Sequence, residues 1–390
     1  MANYVSGMNP TILRWAREQS GYSASDVAKK LNKETKIIEN WETGISTPTY
    51  SQLEYLSYTL YKRPIALFFF PEPPKEQDLN QSFRTLPEHE IESLSSDAKY
   101  ALRQAKAMQI ALMELTDGIN PSKHKIFRDI QFNIKDDVIL TSTHVRKYLG
   151  ITLDEQKSWK DSDDALKSWR TLIEGKGIFV FKRSFKQEEV SGFCLKDNEF
   201  PIIYLNNSTP KTRQVFTLFH ELAHILLNTN GITKIDDSYI NTLSGENKSI
   251  EIYCNRFAGE FLVPNEDFSH QLNIDTWNDE SIGKLANDYY VSCQVILRKL
   301  LDRSLVDPMF FDTKMKKWNE EYEKNRLNRS GGNYYNTQTT YLGNNFLSLA
   351  FGKYYQGQCT IEQLADYLDI KVKSIAGLEQ KLLKDKSLAT

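Results

Sequence analysis

The chain has 390 residues, of which 40% are hydrophobic and 26% charged, and a formal net charge of −2. That length exceeds what one core usually supports, so two or three soluble globular domains are expected. The near-zero charge excludes a global basic field for nucleic acid or an anionic membrane, and any DNA contact must come from a local patch.

The opening "MANYVSGMNP" has no apolar core of a signal peptide. The longest apolar run, "IALFFFP" at 65–71, is too short to span a bilayer, so no membrane partner is expected. Four cysteines (Cys194, Cys254, Cys293 and Cys359) are scattered with no CxxC pair. This pattern fits a reducing cytoplasm and argues against a disulfide framework or a cysteine zinc cluster.

The first seventy residues predict short helices. "PTILRWAREQSG" stops at Gly21, "SASDVAKKL" opens with Ser23 as N-cap and Asp26 three residues on, and "KETKIIENWETG" ends at Gly44. "TYSQLEYLSYTL" and "RPIALFFF" complete the set, and the proline-rich "PEPPKEQ" at 71–77 reads as the start of a linker. A long helix is predicted over 94–116, and mostly helical structure to about 175. Three short strands follow at 177–205 ("GIFVFKR", "VSGFCLK", "PIIYLN"). The remainder from 278 reads as helical, apart from a loop over "RSGGNYYNT" at 329–337.

Between strands and helices stands "FTLFHELAHILLN", 216–228. Thr209-Pro210 predicts the start of this helix and Gly231 its end. Residues four apart share a helix face, so His220 and His224 can present both imidazoles to one ion. Glu221 follows the first of them, where a general base would be needed. The opposite side carries Leu218, Leu222 and Ile225, which predicts burial, and unpaired imidazoles near a core would be costly. A catalytic zinc needs a third protein ligand and an open position. Leu227 and Asn230 stand where an extended HExxHxxGxxH pattern would have Gly and His, and His89, His124, His144 and His270 lack a ligand context. Glu251 and Asn255 share a face of the next helix, so Glu251 could ligate while Asn255 orients a ligand. Asp236, Asp237, Glu246 and Glu260 remain rivals. An oxyanion-stabilising group should come from Tyr253, Tyr289, Tyr290 or His270.

"RQVFTLFHELAHILLN" followed by "EIYCNRFAGEFLVP" resembles the ImmA/IrrE family of zinc metallopeptidases, which pairs an HExxH helix with a downstream ExxxNxFAxxxLxP helix. The match runs through Glu251, Asn255, Phe257, Ala258, Leu262 and Pro264 and covers roughly 175–305. The resemblance implies zinc held by His220, His224 and Glu251, with Glu221 as base. It also implies a protein substrate, a partner repressor or other regulator. The strand "PIIYLN" would be the edge on which an extended substrate lies.

"SASDVAKKLNKETKIIENWETG" resembles the helix-turn-helix of Cro-type and xenobiotic-response-element regulators. It implies a DNA partner, with Lys33, Thr35, Lys36 and Asn40 on the recognition helix for phosphates and base edges. Eight Lys/Arg against six acids in 1–70 leave a mild +2. Segment 360–379 superposes on 23–42 without a gap and 281–300 is similar, and for both a structural three-helix core is favoured over a DNA reader.

The expected fold class is therefore α+β and mostly helical. It comprises a helix-turn-helix bundle over 1–70, a linker over 71–93, a zincin-like domain with a small sheet over 94–305 and a helical region over 306–390. The expected function is a cytoplasmic regulatory zinc metalloendopeptidase, with which a homodimer is compatible. The alternative is a non-catalytic repressor or antitoxin-like protein that uses the peptidase fold to bind a partner.

Overall fold

The structure, a computed structural model, describes residues 4–74, 94–185, 190–234, 237–272, 276–326 and 333–387. Most of the predicted linker, His89 and Asp236 lie outside these residues. The chain divides into two compact units. One holds the described residues up to 106, with Phe185, and the other those of 107–184 and 190–387.

In the first unit, α1 (Pro10–Gln19), α2 (Ala24–Leu31), α3 (Thr35–Glu42) and α4 (Tyr50–Glu54) precede a π-helical segment, Tyr55–Tyr61, and a 3-10 helix, Ile65–Phe69. Ser23 and Asp26 close a reciprocal capping box on α2, and Thr49 and Gln52 do the same on α4. Ile12, Leu13, Ala16, Val27, Ile38 and Trp41 turn inward from α1, α2 and α3. Arg17 reaches from α1 to Glu42 at the end of α3, 2.6 Å away and nearly buried.

The helix α5 (Ser96–Leu115) runs through the division between the units. The second unit continues with α6 (Ile126–Asp129), α7 (Val138–Leu149), α8 (Leu153–Lys157) and α9 (Ser162–Glu174). Then come β1 (Phe179–Arg183), β2 (Val190–Leu195), β3 (Ile202–Asn206), α10 (Lys211–Leu226) and β4 (Gly231–Lys234). A 3-10 helix at Asp237–Thr242 leads to α11 (Gly245–Leu262), α12 (Asn265–His270), α13 (Asp279–Tyr289) and α14 (Cys293–Asp302). The C-terminal part holds α15 (Pro308–Arg326), α16 (Tyr334–Leu342), α17 (Asn344–Tyr355), α18 (Ile361–Tyr367), a 3-10 turn at Val372–Ser374 and α19 (Ile375–Ser387). Mostly helical with one small mixed sheet, the chain is α+β.

Two expectations need correction here. The sheet order is β1-β3-β2-β4, with β1 parallel and β2 antiparallel to β3. The "PIIYLN" strand is thus central, paired on both sides and buried along its length, and is not an edge. The edge beside the HExxH helix is β4, a strand too short to be legible in "GITK". The loop expected over 329–337 is also helical in part: Asn333 caps α16 through the amides of Tyr335 and Asn336, so 334–337 are helical, and 329–332 lie outside the described residues.

The long helix α10 packs on the sheet and against α9 and α11. Phe219 stacks on Phe261 with centroids 4.2 Å apart, and Trp169 meets Phe219 edge-on at 4.8 Å. Each such fully buried aromatic contributes about 2–3 kcal/mol of transfer free energy, which fixes α10 and α11 side by side. No helix among the described residues is long and apolar enough to cross a membrane.

Candidate functional site

The helix α10 is apolar on several faces because it is buried nearly all round, and its polar residues are the exceptions to explain. Gln214, Thr217, His220, Glu221 and His224 are all fully buried. The helix ends at Leu226, not at Gly231. Asn228 takes a left-handed conformation (φ 57°) and the Thr229 amide bonds back to the His224 carbonyl at 2.9 Å, a Schellman-type stop. The chain then enters β4, which brings Gly231 onto His224 and Glu221 and Thr233 onto Glu221.

Three ligand-type groups converge. The Nε2 atoms of His220 and His224 lie 3.1 Å apart. Glu251, from α11, sets Oε2 3.2 Å from the first and Oε1 3.3 Å from the second. The outer nitrogens are occupied. His220 Nδ1 donates to Asn255 Oδ1 at 2.8 Å. The Thr229 hydroxyl donates to the His224 carbonyl, so it accepts from His224 Nδ1, 3.1 Å away. In the neutral tautomers both Nε2 lone pairs therefore face each other and a carboxylate. Only positive charge, a proton or a metal ion, makes that arrangement favourable. Glu251 Oε1 and Glu221 Oε2 are also buried without a hydrogen-bond partner, which is costly unless a cation compensates. The donor set thus fits a divalent metal, with two imidazoles and one carboxylate as in catalytic zinc sites.

The electrostatics agree. Burial disfavours charge on His220 and His224, but the Glu251 carboxylate outweighs it and raises both above the ordinary imidazole range. Burial works against the Glu251 anion too, yet the two histidines lower it well below the usual carboxylate range.

With this geometry in place, one comparison bears on the segment that holds the cluster. Residues 173–301 match the Peptidase_M78 family, the IrrE N-terminal-like domain. The matched segment runs from the end of α9 through α14 and holds every group of the cluster. No curated protein matches the chain.

Around the cluster stand residues that motif spacing does not reveal. The Tyr239 hydroxyl donates to Glu251 Oε2 at 2.7 Å, and the Thr233 hydroxyl donates to Glu221 Oε1. A β-carbon on Gly231 would lie 2.5 Å from the His224 ring and 2.8 Å from Glu221 Oε2, so β4 approaches this closely only with glycine there. Three of the four oxyanion candidates are engaged elsewhere, Tyr253 with Thr141, Tyr289 with Asp267 and Tyr290 with the Trp159 carbonyl, and the fourth, His270, is exposed. Among the rival ligands, Glu260 pairs with Lys299 at 2.9 Å and Glu246 is exposed.

The other candidate surface is α3. Lys36 is exposed (71%) and within 3.5 Å of Glu39, while Lys33, Thr35 and Asn40 are partly exposed. Asn32 makes the turn before α3 with φ 51°. The two later segments share that turn in detail. Tyr290 (φ 56°) and Asp369 (φ 50°) occupy the superposed position. The Lys33→Ala28 bond of 2.9 Å recurs as Val291→Ala286 at 2.9 Å and Ile370→Ala365 at 3.0 Å. Their second helices differ in what covers them. In α14, Gln294 bonds Asn319 and Arg298 lies over Phe311, both on α15. In α19, the Tyr335 ring of α16 lies against Gly377, the counterpart of Asn40. In these two copies part of the face that would read DNA meets a neighbouring helix, while Arg298, Val372 and Lys373 stay exposed.

Proposed function

We propose that the chain is a regulatory zinc metalloendopeptidase that joins an N-terminal DNA-binding domain to its catalytic unit and cleaves a partner repressor or regulator. The observation that carries the reading is the convergence of two Nε2 lone pairs and the Glu251 carboxylate beside a buried, underbonded Glu221. His220, His224 and Glu251 would hold the ion. When bound, zinc supplies Lewis acidity that polarises a peptide carbonyl and acidifies water. Asn255 and Thr229 fix the rings so that both Nε2 atoms point inward, and Tyr239 orients the Glu251 carboxylate. Glu221 takes a proton from the attacking water on its free oxygen, Oε2, and delivers it to the leaving amine. Thr233 holds the other oxygen, which restricts Glu221 to one useful rotamer. The edge strand β4 supports β-pairing of an extended substrate beside these groups.

For the first unit, the reading rests on the helix-turn-helix geometry and on the exposure of α3. Lys33 and Lys36 suit phosphates, and Thr35 and Asn40 suit base edges.

The test is the metal content of the purified chain, measured together with cleavage of proteins encoded beside it. About one zinc per chain and a shortened partner support the reading. A metal-free chain that cuts none of them contradicts it.

A further inference from the structure

Beyond the three ligands of the proposed centre, a fourth donor lies within reach. A ring nitrogen of His220, a ring nitrogen of His224 and the Cys254 sulfur lie within 4.8 Å of one another. Cys254 sits three residues after Glu251 on α11, so both project toward α10 from neighbouring positions on one helix face. The sulfur is a free thiol. His220, His224, Glu251 and Cys254 are all fully buried, and Glu251 Oε1 has no hydrogen-bond partner there.

We propose that Cys254 is a fourth protein ligand of the metal, which closes the centre in this conformation. The inference rests on the metal reading of the same site. Two imidazoles, a carboxylate and a thiolate make a complete tetrahedral set of the kind found in structural sites, whereas a catalytic site keeps a position open. On binding, the Cys254 S–H bond breaks, its proton leaves to solvent and the sulfur lone pair bonds the cation. The closed set explains why the ligands and Glu221 are shut off from water while Glu221 stands ready as a base. Peptide hydrolysis then requires Cys254 to withdraw before water and a substrate carbonyl can approach, so the chain holds its activity latent until the α10–α11 pair is disturbed.

The full chain, stripped of metal with a chelator and reloaded with one equivalent of Co2+, provides the test. Thiolate ligation gives an intense sulfur-to-cobalt charge-transfer band in the near ultraviolet that nitrogen and oxygen ligands do not give. We expect the band in the wild type. It should be lost in Cys254→Ala with cobalt content still near one per chain, and kept in Cys194→Ala, whose thiol is the other buried one. Cys254→Ser, checked for folding by circular dichroism, gives the same reading if the alanine variant does not fold. Stoichiometric cobalt without the band in the wild type, or a band that survives Cys254→Ala, overturns the thiolate ligand and leaves His220, His224 and Glu251 standing. No cobalt uptake at all overturns both.

Discussion

Gly231 passes so close to His224 that a β-carbon there would lie 2.5 Å from the imidazole. The contact couples the first residue of β4 to His224, a proposed metal ligand on α10, and the same atom would press on Glu221 Oε2 at 2.8 Å. Gly231→Ala should therefore destabilise the chain by about 1–3 kcal/mol, the range for overpacking a filled core. It should also lower bound metal, because His224 must move. Thermal unfolding with metal analysis checks both, and an unchanged midpoint with full metal would show that β4 can yield.

Tyr239→Phe removes the hydroxyl that donates to Glu251 Oε2 at 2.7 Å. A buried carboxylate oxygen then loses a donor, at about 1–3 kcal/mol. Partners that orient ligands typically matter 10–100-fold in metal affinity. Competition titration against a chelator should show weaker zinc binding by roughly that factor, with the fold retained. Equal affinity would mean that the histidines alone orient Glu251.

His220→Ala and His224→Ala should each weaken zinc binding, and the double variant should abolish stoichiometric zinc, since at most Glu251 and Cys254 of the proposed ligands then remain. Glu246→Ala, at an exposed position of α11, should leave it unchanged. Metal analysis after dialysis is the measurement, and full retention in the double histidine variant would remove the site.

On α3, Lys36→Ala should weaken binding of the chain to its upstream DNA alike for all sequences and reduce the salt slope by about 1. Asn40→Ala should cost about 1–3 kcal/mol on the preferred sequence and relax discrimination there. Arg298→Ala, on α14, where Gln294 and Arg298 contact α15, should change neither. Salt-dependent fluorescence anisotropy distinguishes these outcomes. No binding at low salt and micromolar protein would instead favour a protein-docking module.

What the sequence made legible was whatever depends on spacing within one helix. His220 with His224, Glu251 with Asn255, and the Ser23 cap follow from the 3.6-residue period and from capping chemistry. What it hid depends on contacts between distant segments. Nothing local in "GITK" says that its glycine touches His224 or that its threonine serves Glu221. Tyr239 was not among the tyrosines named as oxyanion-stabilising candidates, and only the 3-10 helix brings it to Glu251. The central place of β3 was hidden for the same reason, since strand order is set by pairing and not by the strand itself. The paired glycines at 331 and 332 suggested a loop through 337, but Asn333 uses its side chain to start a helix. The three helix-turn-helix turns were visible as a recurring apolar pattern, while the contacts of α14 with α15 and of α19 with α16 were not.

The most direct test of the account replaces Glu221 with Gln. Shape and hydrogen-bonding capacity stay close, the three ligands are untouched, and zinc content and the unfolding midpoint should remain near wild type. Cleavage of the partner regulator, followed by its length in vitro and in cells, should fall at least about a hundredfold, the lower end of what a positioned general base contributes. If Glu221→Gln leaves cleavage intact, Glu221 is not the base. If the wild type cuts nothing and regulation is the same with Gln at this position, the chain is a zinc-stabilised scaffold rather than an enzyme.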